Sequence, residues 1–144
     1  AISSTQSARE YRLALRRSQL ACQLAPWDSS YWNTLGMAQY RVGAYQAALR
    51  SLARAAESSK RGGAAYEAAL RFLARVSGRS ERDGPNLAFT AMANHKLGNI
   101  TEARAALEQF DIFMAEPNHA ADPELQDLTR EVKVLFANSD RNRE

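Results

Sequence analysis

A chain of 144 residues, 45% hydrophobic with 7 Gly and 4 Pro, has the size of one ordinary domain and buries roughly two-thirds of its unfolded surface without metal or disulfide. Its net charge of +3 divides unevenly: residues 1–82 carry 13 Lys/Arg against 5 Asp/Glu, and residues 83–144 carry 6 against 11. The single Cys22 excludes an internal disulfide, no apolar run approaches the ~18 residues of a membrane span, and the polar start from Ala1 to Arg9 lacks a signal-peptide core.

Frequent Ala and few β-branched residues favour closely packed helices, an all-α fold. Ala14, Ser18 and Ala21 set a helical rhythm that predicts a helix over about 8–25, ended by Pro26 and Asp28. Cys22 falls in its apolar part beside Leu20, Ala21 and Leu24 and reads as a small buried hydrophobe in a reducing compartment. Asp28, Ser29 or Ser30 caps a second helix, about 29–42, carrying Trp32, Leu35, Gly36 and Tyr40 and stopping at Gly43. The Gly43-Ala44 break is short, so the helix of about 45–58 must fold back antiparallel. A further helix is expected at about 64–77. After Gly84-Pro85 come helices at about 85–97 and 100–114, separated by Gly98-Asn99. Asp122 caps a closing amphipathic helix of about 122–137, with Pro123 in its first position. A single domain over 1–137 and a disordered tail over 138–144 are expected.

Self-comparison shows two periods. In the longer, Ala14, Leu15 and Ala21 return in the same order and spacing as Ala48, Leu49 and Ala55. In the shorter, the stretch Tyr45 to Arg54 returns as Tyr66 to Arg75 with only Gln46 and Ser51 changed, to Glu67 and Phe72. The two offsets add, so Gly43, Ala48 and Leu52 match Gly98, Ala103 and Leu107 across the sum of both periods. One helix thus occurs twice. The extra copy must lie on the surface, replace a neighbour's helix in a dimer, or join the first copy in one long helix. Gly62-Gly63 opposes the last arrangement by ~1 kcal/mol per glycine.

Trp32-x2-Leu35-Gly36, followed by Gly43, Tyr45, Ala48, Leu52 and Ala55 and preceded by Pro26, resembles the tetratricopeptide-repeat (TPR) pattern over about residues 8–114. Departures are Gln39 where the pattern has tyrosine, no proline after Ala55, and Thr90-Ala91 where Leu35-Gly36 would recur. Tyr31 to Gly36 and Leu87 to Gly98 are similar to TPR tails of large planctomycete-type bacterial proteins, some with kinase or WD40 domains. The resemblance implies a helical-hairpin solenoid of about seven helices with one duplicated helix and a C-terminal capping helix. It further implies a non-catalytic scaffold whose concave groove receives a protein or peptide segment. With Ala1-Ile2 and no Met at its start, the chain reads as a piece of a larger, cytoplasmic protein.

Carried onto this chain, the resemblance assigns the groove to Asn33, Met37, Tyr40 and Arg41 on one helix and Phe89, Met92, His95 and Lys96 on another. Met and aromatic rings offer adaptable apolar area, and Asn, Arg and Lys bind backbone or carboxylate. Met37, Phe89 and Met92 fit core packing equally well. Tyr40, Arg41 and Lys96 stand beside helix ends, where polar tips stay wet. Met37 and Phe89 occupy positions where carboxylate-clamp relatives need asparagine, which argues against that ligand.

Arg50, Arg54, Arg71 and Arg75 form a basic outer stripe, but no nucleic-acid motif or aromatic interleaving accompanies it. Glu102, Glu108, Asp111 and Glu116 read as a solvated acidic face. His95 and His119 are far apart in sequence, Cys22 has no nearby base, and no phosphate loop or metal cluster occurs. No enzyme activity, cofactor, metal or membrane partner is therefore expected. A homodimer built through the duplicated helix stands as the alternative to a peptide-binding scaffold.

Overall fold

The computed structural model describes residues 4–61 and 83–141. Every regular element among the described residues is helical: α1 (Ser4–Leu24), α2 (Ser29–Arg41), α3 (Tyr45–Arg61), α4 (Asp83–Lys96), α5 (Ile100–Met114), the single turn α6 (Pro117–Ala120) and α7 (Pro123–Arg141). They fall into two compact units, Ala1–Glu67 and Ala68–Glu144.

In the first unit α2 lies between α1 and α3 and packs on both. Asp28 caps α2, its Oδ1 accepting from the Ser30 backbone N–H at 2.8 Å, which satisfies one of the free amides at the helix start. Leu35, Ala38 and Tyr40 of α2 are buried with Cys22 of α1 and Ala48, Leu52 and Ala55 of α3. Gly36 is the point of closest approach. A Cβ there would sit 2.6 Å from Leu52 Cγ and 3.2 Å from the Ala48 carbonyl oxygen. The buried Ser51 hydroxyl donates to Gln39 Oε1 at 2.6 Å and ties α3 to α2. Ser18, buried in α1, donates back to the Ala14 carbonyl at 2.7 Å, so it enters the core with its hydroxyl satisfied.

In the second unit α4 packs on both α5 and α7. Ala88, Phe89, Met92 and Ala93 of α4 are buried, as are Ala103, Ala106 and Phe110 of α5 and Leu125 and Val132 of α7. Asp122 receives the Glu124 amide at 2.9 Å, capping α7 as its position before Pro123 predicts. The turn α6 is absent from the sequence expectations. His119 holds it in place: its ring stacks on Phe113 at 3.7 Å between centroids and its Nδ1 lies 2.8 Å from the Phe113 carbonyl oxygen. A carbonyl only accepts, so Nδ1 carries the hydrogen.

Element ends differ from the expectations by a few positions. Helix α1 starts at Ser4, α3 runs past 58 to Arg61, and α4 takes in Asp83 and Gly84. Helix α7 continues to Arg141, so Asn138 to Arg141 are helical where a disordered tail was expected. The helix expected at 64–77, the second copy of the repeated stretch, lies outside the described residues.

Candidate functional site

The two units close their central helices in the same way. After α2, the Gly43 amide bonds to the Tyr40 carbonyl and the Ala44 amide to the Gln39 carbonyl, both at 2.9 Å. After α4, the Gly98 amide bonds to the His95 carbonyl at 3.1 Å and the Asn99 amide to the Asn94 carbonyl at 2.9 Å. Each pair is a Schellman motif, whose left-handed residue carries no Cβ penalty when it is glycine. The φ angles are +82° at Gly43 and +79° at Gly98. Ala44 then accepts from Ala48, and Asn99 from Ala103, starting the returning helices. The two Schellman bonds and the first bond of the returning helix at Gly98 repeat those at Gly43 in the register that the summed sequence periods set, and the Gly98 turn adds a bond from the Ile100 amide to the Gly98 carbonyl at 3.0 Å.

This register places an aromatic ring followed by a cation at the end of each central helix: Tyr40-Arg41 on α2 and His95-Lys96 on α4. Both cations lie in the last helical turn, where they complement the negative end of the helix dipole. The Arg41 guanidinium stands 5.9 Å from the centre of the Tyr40 ring, and Tyr45, the first residue of α3, packs on that ring at 5.3 Å. Tyr40 is thereby buried, against the expectation that its position beside a helix end leaves it wet. The returning helix covers it. Arg41 is half-buried and Lys96 exposed.

The remaining groove candidates divide by burial. Met37 is half-buried, whereas its counterpart Met92 has no exposed surface. Helix α7 packs on α4 and sets Phe136 against His95, ring centres 4.6 Å apart, one turn from Met92. Phe89 and Asn33 are buried as well. Phe89 and Met92 therefore serve the core of the second unit, and Met37, Arg41, His95 and Lys96 retain surface.

The basic stripe is altered at Arg54. Its guanidinium lies 4.2 Å from the centre of the Trp32 ring, and the Trp32 indole N–H donates to the Pro26 carbonyl at 2.8 Å. One cation and one aromatic residue thus join α3, α2 and the α1–α2 turn. Burial raises the nearby Cys22 thiol above its ordinary pKa; Arg54 opposes the shift and Asp28 adds to it. Such a thiol holds its proton and packs as a small hydrophobe. Arg50 is exposed, and Arg71 and Arg75 lie outside the described residues.

Among the described residues no three His, Cys, Asp or Glu side chains gather as a metal site, and no helix is long and apolar enough to cross a membrane. Glu102, Glu108, Asp111 and Glu116 are all exposed.

One feature escaped the sequence expectations. Leu13, Leu20 and Leu24 of α1 and Trp27 in the turn after it are exposed at 47%, 55%, 71% and 76%. Their helical spacing was legible, but it is masked by the buried rhythm of Ser18 and Cys22 on the same helix. No family model, curated protein or solved structure matches the chain.

Proposed function

We propose that the chain is a non-catalytic, TPR-like helical-repeat module in which the central helix of each unit, taken by itself, offers a binding surface to a segment of a partner protein. The supporting observation is the recurrence of the helix-ending Schellman motif of Gly43 at Gly98, with a ring and a cation at the same place on each central helix. Repeated hairpins of this kind present equivalent side chains from each unit, which suits recognition of a segment of another protein. On that reading Arg41 and Lys96 bind acceptor groups of the ligand, backbone carbonyls or carboxylates, while Met37 supplies adaptable apolar contact.

Selection from a random peptide library against the intact chain tests the reading. Selected peptides should bind the wild-type chain and lose about tenfold in affinity for Arg41→Ala or for Lys96→Ala, according to the unit they engage, a loss in the usual range for truncating one interfacial charged contact. Binding unchanged in both variants would overturn it. Arg41 and Lys96 are preferable to Tyr40 as probes because Tyr40 is buried, and truncating it would also disturb the fold.

A further inference from the structure

Helix α1 has two apolar faces. Cys22 and Ser18 are buried, and Leu15 is half-buried on the same side. At about 3.6 residues per turn, Leu13, Leu20 and Leu24 lie within about 40° of one another and roughly 120–180° from those three residues. They form a stripe on the outer side of the helix, three turns long, and all three are exposed. Arg9, Arg16 and Arg17, also exposed, fall along its two edges. Trp27 stands just past its end.

The internal repeat does not require these leucines. In the register that aligns Ala14 of α1 with Ala48 of α3, their counterparts are Ala47, Arg54 and Ser58. The stripe belongs to α1 alone.

We propose that this stripe docks an amphipathic helix of another protein whose apolar seam is edged by Asp and Glu. Leucines at this spacing are the anchors of helix-on-helix recognition, and aromatic and Arg residues around them are the usual carriers of interface affinity. Charge selects the occupant. The helix carries Arg9, Arg12, Arg16 and Arg17 against one acidic residue, Glu10. A second copy docking through the same stripe would bring arginine edges against arginine edges, whereas carboxylates along the partner's seam neutralise them. A nucleic-acid backbone would use the arginines but leave the leucines in water.

The test uses the intact chain and two designed helical peptides with the same leucine seam, one edged by Glu and one by Lys, followed by fluorescence anisotropy. The Glu-edged peptide should bind, weaken at least tenfold when salt is raised, and fail to bind the Leu20→Ser/Leu24→Ser double variant. The Lys-edged peptide should bind at least tenfold more weakly. The charge-reversed Arg16→Glu/Arg17→Glu variant, which leaves the leucines in place, should exchange the preference. Equal binding of the two peptides, binding of neither, or binding unaltered in the leucine variant would overturn the proposal. So would a dimer that dissociates in the leucine variant, because it would make the stripe an interface between copies. None of these residues lies on α2 or α4, so this result is independent of the library experiment on Arg41 and Lys96.

Discussion

Gly36 shows how one side chain sets the distance between two helices. The atom nearest to an added Cβ is Leu52 Cγ at 2.6 Å, a branch point rather than a free tip, and Leu52 is 1% exposed. It has nowhere to move. At the corresponding position of the second unit the chain carries Ala91, and the residue matching Leu52 is Leu107, which is half-buried. Gly36→Ala gains ~1 kcal/mol of helix propensity and loses ~1–3 kcal/mol to overpacking. A net loss of about 1 kcal/mol is expected, read as a lower urea midpoint. An unchanged or higher midpoint would show that α2 and α3 are not held at the Gly36 contact.

For the elements, the Schellman turns after α2 and α4 decide where each helix stops and in which direction the chain returns. Gly43 and Gly98 have no atom within 4 Å of an added Cβ, so substitution there meets backbone strain alone. An L-residue at these φ values costs ~1–2 kcal/mol, offset by the smaller unfolded-state entropy of alanine. Gly43→Ala and Gly98→Ala should each destabilise the chain by about 1 kcal/mol, and Gly→Asn by less, because asparagine tolerates the left-handed region. Unfolding curves of the four variants check both the size of the effect and its equality between the units. Losses that differ several-fold would mean that the two turns are not equivalent despite their shared hydrogen bonds.

Across the whole molecule, charge is the property that acts over distance. The excess of 13 Lys/Arg over 5 Asp/Glu in residues 1–82 contrasts with the opposite excess, 11 acidic against 6 basic, in residues 83–144. Attraction between exposed charges beyond about 10 Å is largely screened at about 0.1 M salt. The arginine edges of α1 oppose pairing of that face with itself. Light scattering at physiological salt should therefore return the monomer mass, 16.0 kDa. A mass near twice that value, insensitive to salt, would favour self-association through the duplicated helix over a separate ligand.

Local chemistry along the chain is enough to set the helices and their stops. Gly43 and Gly98 follow the last periodic residue of a helix, Asp28 and Asp122 precede the first, and the bonds each makes reach only a few residues along the chain. The correspondence of Gly43 with Gly98 was legible for the same reason: a turn motif depends on a few adjacent residues. Burial was not legible in that way. Met37 and Met92 have the same place in the repeat, yet only Met92 is sealed. Tyr40 is covered by Tyr45 only once α3 has folded back. His119 reads as an isolated histidine until α6 stacks it on Phe113. The outer face of Leu13, Leu20 and Leu24 shows only once the buried face of α1 is seen to lie opposite. Which apolar residues stay in water depends on which helix arrives to cover them, and that is a property of the packed tertiary structure.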